Sequence, residues 1–358
     1  MDKTDAAAWC RAHMWYTGAH PSSIPMTRRV LTGIKPTGIP HIGNWLGAIR
    51  PGLELAQLPD TQAIYFIADY HALSSVHDPA ELRQMTYDVA ATWLALGLDP
   101  ARTLLYRQSD VPEIFELCWI LSCMTTKGWM NKAHAYKAAV DRNREAGEGD
   151  DEGVNLGLYT YPILMAADIV LFDSDLVPVG KDQVQHLEIA RDIAQRVNHV
   201  YGPVLKLPEP LVNELVSVVP GLDGRKMSKS YGNVVPLFLP AKQLKKTLNQ
   251  IVTDSAPPEA PKDPHVSHIF QMYRAVASPE QTLALEQRYR AGIGWGEAKA
   301  ALFEVLDAAL GPARERYNQL MADTAQLDAI LADGAARARQ IAQGTLGRVR
   351  RAIGVGAR

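Results

Sequence analysis

Apolar runs alternate with amphipathic stretches along the chain up to about residue 222. The strand-like runs are residues 30–34, 63–68, 103–106 and 177–179. The run 63–68 has no charged residue, which suits a strand buried on both faces. Helical spacing follows in between, as in 79–96, where Asp78 is a good N-cap and Pro79 suits the first turn. Strands that alternate with helices predict parallel pairing in a doubly wound α/β sheet.

The pattern changes after about residue 222, where strand-like runs become scarce and helical spacing dominates. We therefore predict a Rossmann-like α/β domain over 26–222, then an all-helical part over 223–330 and a basic C-terminal helix over 331–358. The arginines of that last segment indicate either a solvated basic face or a surface that contacts phosphates. Residues 1–25 are unpatterned, and we expect a non-native or disordered extension ahead of a natural start at Met26.

Composition narrows the class of protein without identifying it. The chain is 47% hydrophobic and 21% charged, which is typical of a globular protein. Cys10, Cys118 and Cys123 form no Cys-x-x-Cys pair, which argues against a disulfide scaffold or a structural zinc site and favours the reducing cytoplasm. No run reaches the roughly 20 apolar residues that span a bilayer, so we expect no membrane partner. The net charge of −2 leaves nucleic-acid binding to local features.

The first chemical motif lies in residues 33–44, where the first predicted strand ends and a helix begins. Ligands of doubly wound sheets bind beyond the carboxyl ends of strands, and a helix N-terminus attracts phosphate. Gly43 would let a flat base approach the helix backbone, while His41 and Asn44 offer donors to phosphoryl oxygens. Alone, this stretch is more often a strand, turn and helix with an incidental histidine.

The second motif lies in residues 221–233, where glycines flank a basic core. Glycines allow such a loop to change shape. Lys226 and Lys229 can approach a polyphosphate as mobile point charges, and Ser228 and Ser230 add hydroxyl groups. Alone, the same residues are equally typical of a solvated surface turn.

A third candidate lies in a helical segment that we expect to begin near Pro162. Tyr161, Met165 and Asp168 are spaced four and three apart, so they share one helix face. Asp168 interrupts an apolar run, which indicates a surface acid, a satisfied core acid, or a buried acceptor for a ligand donor. An indole N–H is a donor without acceptor capacity and suits a carboxylate, but a phenol hydroxyl also donates. Chemistry therefore excludes phenylalanine as the ligand and leaves tyrosine open.

Two signatures connect these motifs to a known family. Residues 40–44 resemble the HIGH signature, and residues 226–230 are a verbatim KMSKS signature. Together they resemble the class I aminoacyl-tRNA synthetases of the compact tryptophanyl/tyrosyl branch, from Thr27 onward. The resemblance implies that an amino-acid carboxylate attacks the α-phosphate of Mg-ATP, and that the aminoacyl group then passes to the 3′ end of tRNA. It also implies a homodimer, no protein-held metal, and a helical domain on the anticodon side.

The segments 161–168 and 180–186 resemble the tryptophanyl rather than the tyrosyl pattern, so the implied substrates are L-tryptophan, ATP and tRNA(Trp). The resemblance assigns catalysis to His41, Asn44, Lys226 and Lys229. It assigns ATP binding to Lys35, Pro36, Thr37, Gly43, Asn44, Gly180, Lys181, Asp182, Val219, Lys226, Met227, Ser228, Lys229 and Ser230. It implies that Asp168 binds the indole nitrogen and that Tyr161 and Gln183 bind the α-amino group. It also implies that His71 lies near the amino-acid pocket. The residues that it implies as walls around the indole ring are Met165, Val177, Val179 and Leu31.

One departure from the family's pattern concerns the phosphate site. Lys35 stands where many bacterial tryptophanyl enzymes carry glutamine, and a fixed cation there would strengthen ground-state binding or take over part of the role of Mg²⁺. The alternatives that stay open on sequence are a tyrosyl-tRNA synthetase, a nucleotidyltransferase of the HIGH superfamily without tRNA, and a non-catalytic RNA-binding paralogue.

Overall fold

The computed structural model describes residues 27–36, 38, 40–180, 183–212 and 219–356. The predicted extension over 1–25 lies outside these residues, and so do the candidate ATP contacts Thr37, Lys181 and Asp182.

A parallel sheet forms the centre of the described chain. Its strands are β1 (Arg28–Ile34), β2 (Thr61–Ile67), β3 (Leu104–Arg107), β4 (Leu176–Val179) and β5 (Glu209–Val212), in the order β3-β2-β1-β4-β5. Every pairing is parallel, and the order reverses at β1, so the predicted doubly wound sheet is confirmed. The sequence pattern does not predict β5, because Pro208 and Pro210 interrupt its apolar run; as an edge strand it tolerates proline.

Helices cover both faces of the sheet. Helix α1 is continuous over Ile42–Asn44, the π-helical Trp45–Ile49 and Arg50–Gln57. The helices that follow are α2 (Asp69–Ala72), α3 (Pro79–Ala95), α4 (Glu113–Met124), α5 (Lys127–Met130), α6 (His134–Ala146), α7 (Leu156–Val170), α8 (Val184–Tyr201), α9 (Ala241–Leu248), α10 (His268–Arg274), α11 (Pro279–Ala291), α12 (Trp295–Ala322) and α13 (Thr324–Ile353). Throughout the described ranges, no helix is long and apolar enough to cross a membrane.

Strand β2 shows how the sheet is buried. Ala63, Tyr65 and Ile67 belong to one apolar cluster, with α1, α3 and the C-terminal helical part, while Ile64 and Phe66 belong to a second cluster, with α4, α7 and α8. Successive side chains of a strand point to opposite faces, so both faces of β2 are covered, as its unbroken apolar run predicts.

Two predicted helix starts have different outcomes. Asp78 Oδ1 accepts hydrogen bonds from the N–H groups of Ala80 and Glu81 at 2.8 Å each, which confirms the start of α3. The expected start of α7 near Pro162 is wrong, because Asn155 caps the helix a turn and a half earlier. Pro162 is therefore inside α7, where its missing N–H removes one intrahelical hydrogen bond.

The C-terminal helix packs back onto the α/β domain. It begins at Thr324, so the predicted boundary at 331 falls inside one helix, and it lies against β3 and α4. Its arginines form ion pairs with acids of the α/β domain: Arg339 with Glu113, Arg348 with Asp173, and Arg350 with Glu116. These arginines stay 41–47% exposed, so the expected solvated face is partly present, while their ion pairs attach the helix to the α/β domain. Contact with phosphates stays a prediction.

Candidate functional site

The HIGH-like turn and the KMSKS loop lie against each other in the folded chain. The Ile42 N–H donates to the Val235 carbonyl at 2.9 Å, and His41 forms an antiparallel bridge with Pro236. The Gly43 N–H contacts Met227 Sδ at 3.3 Å, and the Met227 side chain is buried. Segments far apart in sequence thus form one wall of a single site, as their shared role predicts.

A cavity of about 370 Å³ opens at this wall, beyond the carboxyl end of β1. This is the point where the strand order reverses, the usual ligand site of a doubly wound sheet. Its lining includes the sequence-predicted residues Lys35, Asn44, Val179, Gly180, Gln183 and Lys229. The lysines and the start of α1 give this cavity the chemistry of a polyphosphate site.

His41 is held at the start of α1 as a neutral side chain. Its Nδ1 accepts from the Asn44 N–H at 3.3 Å, and Asn44 Oδ1 accepts from the His41 N–H at 3.1 Å. Burial, reinforced by the charge of Lys229, lowers the pKa of His41 to about 4. Because Nδ1 accepts, the ring proton lies on Nε2, and His41 has an N–H to donate at neutral pH.

Asn233 holds the KMSKS loop together. It is buried, and its Oδ1 accepts from the Ser228 N–H at 2.8 Å. Its Nδ2 donates to Asp223 Oδ1 at 2.6 Å and to the Lys226 carbonyl at 3.2 Å. One amide thus fixes the backbone between the signature lysines. Sequence reasoning did not single out this residue, although it closes the conspicuous glycine-flanked segment.

Among the predicted loop residues, Lys229 lines the cavity, whereas Lys226, Ser228 and Ser230 lie outside its described lining. Lys226 and Lys229 are both exposed. Partial desolvation nevertheless lowers the pKa of Lys229, and the nearby charge of Asp88 opposes that shift. A Cβ built on Gly38 would lie 3.4 Å from Lys229 Nζ, so this ammonium reaches the loop after β1. The hydroxyls of Ser228 and Ser230 form a hydrogen bond with each other at 2.8 Å.

Lys35 approaches the same cavity from the end of β1. Its Nζ donates to Ser74 Oγ at 3.0 Å, and burial lowers its pKa. Of the other predicted ATP contacts, Pro36 is buried beside β1, and the Val219 carbonyl accepts from the Met227 N–H at 2.9 Å.

Asp168 is fully buried in α7, so the surface-acid alternative is wrong. Its Oδ2 lies 2.9 Å from His71 Nε2, and Gln108 Nε2 donates to both carboxylate oxygens at 2.9 Å. Burial raises the pKa of Asp168, and these hydrogen bonds oppose the rise. His71 is therefore beside the acid, as expected. Gln108 was missed, although it stands two residues after the predicted strand 103–106.

Among the remaining predicted tryptophan contacts, Tyr161 lies close to the partner of this acid, with its ring centroid 6.3 Å from that of His71. Tyr161 Oη is hydrogen-bonded to His186 Nε2, and burial raises the pKa of Tyr161 to about 12. The predicted ring walls lie in one apolar cluster: Leu31, Val177 and Val179 are buried, and Met165 packs against them. Gln183 precedes the first residue of α8 and lines the cavity, and its N–H donates to the Gly180 carbonyl at 2.9 Å.

Comparison with known proteins agrees with this site. Residues 26–311 match the family described as tRNA synthetases class I (W and Y). The chain is 55% identical to the tryptophan–tRNA ligase of Pseudomonas aeruginosa, covering 92% of this chain and 74% of that protein. It is 52% identical to that of Neisseria meningitidis, covering 92% and 98%.

A solved structure extends the likeness to three dimensions. The tryptophanyl-tRNA synthetase of Campylobacter jejuni, complexed with ADP and tryptophan, superposes with a TM-score of 0.83 at 44% identity. The likeness covers 91% of this chain and 100% of that chain. With both signatures on one cavity and a family match over most of its length, the chain belongs to the class I tRNA synthetases of tryptophan and tyrosine.

Proposed function

We propose that the chain ligates L-tryptophan to tRNA(Trp) in two steps, through a tryptophanyl-adenylate. The observation that carries this proposal is a fully buried carboxylate, Asp168, on a helix whose apolar residues share a cluster with the predicted ring walls. A cavity lined by residues of both signatures accompanies it. Many relatives at 52–55% identity are tryptophan–tRNA ligases, which favours this function over a tyrosyl enzyme, a tRNA-independent nucleotidyltransferase or a non-catalytic paralogue.

In the first step, a tryptophan carboxylate oxygen bonds to the α-phosphorus of ATP, and the bond from that phosphorus to the bridging oxygen breaks to release pyrophosphate. The neutral His41 donates its Nε2–H to a phosphoryl oxygen. Lys226 and Lys229 neutralise charge on the leaving pyrophosphate. In the second step, a hydroxyl of the terminal adenosine attacks the acyl carbon and AMP leaves. Positioning and charge stabilisation suffice, and no protein nucleophile is needed.

Tryptophan is recognised at both ends. Asp168 accepts the indole N–H, and the buried side chains of Leu31, Val177 and Val179 pack on the ring. Tyr161 and Gln183 hold the ammonium group. An amino acid that lacks the ring N–H would leave a buried carboxylate underpaired, so the pocket discriminates against it.

Lys35 supplies a cation where the attacking carboxylate meets the α-phosphate, and its bond to Ser74 keeps it there. Mg²⁺ is proposed to arrive on the triphosphate. The donors described around the cavity are mainly lysines, hydroxyls and backbone N–H groups, which suit phosphate oxygens. In the part of the chain that the structure describes, no cluster of three or more His, Cys, Asp or Glu side chains is placed to hold a metal.

The proposal includes a homodimer and a cytoplasmic location. Helix α4 exposes Trp119 (72% exposed) and, one turn on, Cys123, an apolar surface that suits a second copy of the chain in a homodimer. Free thiols at Cys118 and Cys123 suit the cytoplasm. The helical part faces the anticodon side of the tRNA. Light scattering of the purified chain tests the dimer.

The test of the function is pyrophosphate exchange into ATP with each amino acid, followed by tRNA charging. We expect exchange with tryptophan and not with tyrosine. Asp168→Asn should lower kcat/KM for tryptophan about 100-fold, because a charged hydrogen bond in a buried site is lost. The control is Asp192→Asn, on the exposed face of α8, which should match the unmodified chain. Exchange with tyrosine, or no tryptophan-dependent exchange, would refute the proposed function. Full activity of Asp168→Asn would remove Asp168 from the recognition of tryptophan.

A further inference from the structure

We propose that Gln108 is the positioning residue for tryptophan specificity: its side-chain amide holds the Asp168 carboxylate in the orientation that receives the indole N–H. The inference rests on the proposed function and concerns a residue outside the set that the family resemblance implies for the tryptophan site. Gln108 lies in the short 3₁₀ turn Gln108–Asp110 that follows β3, and its side chain has no solvent exposure.

The hydrogen bonds on the carboxylate are unequal. Oδ2 accepts hydrogen bonds from both His71 Nε2 and Gln108 Nε2, each at 2.9 Å. Oδ1 accepts a hydrogen bond from Gln108 Nε2 alone, also at 2.9 Å. An ionised carboxylate has about four lone-pair sites, two on each oxygen. Oδ1 therefore keeps one site for a further donor. The amide of Gln108 bridges the two oxygens and so sets the plane in which that site points.

The orientation of the amide follows from the charge of its partner. Turned the other way, Gln108 Oε1 would face both carboxylate oxygens and be repelled. In the observed orientation Oε1 is buried and has no hydrogen-bond partner among the described residues. An unsatisfied buried acceptor is costly. The cost of the unpaired Oε1 is offset because the NH2 group of the same amide stabilises the Asp168 anion. An ordinary contact in the core would not require this arrangement.

A second contact fixes the spacing of the two donors. Asp69, at the start of α2, accepts from the Ser109 N–H at 3.1 Å and from Ser109 Oγ at 2.5 Å. This clasp joins the helix that carries His71 to the turn that carries Gln108. The two groups that face Asp168 from different strand ends are thus held at a defined separation.

The other titratable groups around the acid cannot replace the amide. Besides His71 from α2, Tyr106 from β3 and Cys118 from α4 interact electrostatically with Asp168. Neither donates a hydrogen bond to it, and the Tyr106 hydroxyl, although buried, has no partner among the described residues. Removing the Gln108 amide would therefore leave His71 as the one protein donor on the carboxylate in the described part of the chain.

The first experiment replaces Gln108 by an apolar side chain of similar size, Gln108→Met. We expect the KM for tryptophan to rise about 10-fold to 100-fold, while the KM for ATP stays unchanged, because one hydrogen bond to a charged group is lost. Preference for tryptophan over its benzothiophene analogue, which lacks the ring N–H, should fall by a similar factor. A purely structural role would not change that preference.

The matched control is Gln343→Met. Gln343 also donates its amide to a carboxylate, Glu113 Oε1 at 3.0 Å, which Arg339 holds as well. That pair lies between α13 and α4, so the substitution removes the same kind of bond at another site. We expect unchanged kinetic constants for this variant. Wild-type tryptophan KM and analogue preference in Gln108→Met would overturn the inference.

The second experiment uses Gln108→Glu, which also decides the matter should the methionine variant fold poorly. At pH 6 the adjacent carboxyl groups share a proton, because like charges so close together cannot both ionise. The protonated side chain then donates as the amide did, so tryptophan KM should be within about 3-fold of the wild-type value, a difference below 1 kcal/mol. As the pH rises and the shared proton leaves, repulsion should raise KM. Impairment at pH 6 equal to that of Gln108→Met would overturn the inference.

Failure of the inference is distinguishable from failure of the proposed function. If the unmodified chain exchanges pyrophosphate with tryptophan while Gln108→Met behaves like it, the function stands and the role of Gln108 falls. If the unmodified chain shows no tryptophan-dependent exchange, the function falls first, and with it the inference.

Discussion

Burial is the first cause of the pKa shifts at His41, Lys229 and Asp168. It lowers the pKa of His41 and Lys229 and raises that of Asp168. A low pKa keeps His41 a neutral hydrogen-bond donor, as its proposed contact with a phosphoryl oxygen requires. For Asp168, the hydrogen bonds from His71 and Gln108 oppose the effect of burial and favour the anion that an indole N–H requires.

The lowered pKa of His41 predicts how the free energy of unfolding depends on pH. It is about 4 in the folded chain, compared with a usual value near 6.5. Between these values the unfolded chain binds a proton that the folded chain does not, so this residue makes stability fall as the pH drops from about 6.5 to about 4. His41→Asn, which keeps an acceptor for the Asn44 N–H, should make that fall shallower.

Urea unfolding of both chains from pH 8 to pH 4.5 measures the effect. The control is His199→Asn, at an exposed position of α8, which should leave the dependence as it is. If His41→Asn and the unmodified chain lose the same free energy of unfolding as the pH falls, His41 is not held neutral in the folded chain.

Individual elements show where local patterns suffice and where they do not. The start of α3 is correctly predicted because Asp78 caps it through adjacent N–H groups. The start of α7 is misplaced because proline is a weaker marker than the asparagine cap ahead of it. The KMSKS loop owes its shape to Asn233, whose amide contacts are made within the loop but involve no periodic pattern.

Removal of that amide should affect the rate more than tryptophan binding. Asn233→Ala leaves Asp223 and the Ser228 N–H without their partner. We expect the free energy of unfolding to fall by about 1–3 kcal/mol. The kcat of tryptophan-dependent exchange should fall about 10-fold, since the loop no longer holds its lysines at fixed positions.

Steady-state exchange kinetics test this prediction, with Asn249→Ala, at an exposed position after α9, as the control. A KM for tryptophan that rises while kcat stays constant would be inconsistent with a loop that acts on the phosphates.

At the scale of the whole molecule, helix α13 closes the fold by returning to the sheet. Its ion pairs with Glu113 and Asp173 connect the end of the chain to α4 and to the turn after α7. Gly334 makes the approach possible, because a Cβ built there would lie 1.9 Å from the Leu105 carbonyl oxygen of β3. The helix thus rests on the strand that leads to Gln108.

Two glycines of this helix should respond in opposite ways to alanine. Gly334→Ala should lower the free energy of unfolding by about 1–3 kcal/mol, because the methyl group collides with backbone. Gly344→Ala, with no atom within 4 Å of its Cβ position, should raise it by about 0.5–1 kcal/mol through helix propensity. Denaturant unfolding compares them, and equal shifts would show that α13 does not rest on β3 in solution.

The sequence alone determines the alternating strands and helices and the two signatures. It also determines that Tyr161, Met165 and Asp168 share one helix face. These features depend on neighbours within a few residues or on a motif that keeps its spacing. Groups distant in sequence determine three other features: the role of Gln108, the ion pairs of the C-terminal arginines and the neutral state of His41. Burial and long-range contact set the charge and direction of a side chain, and the folded packing creates both.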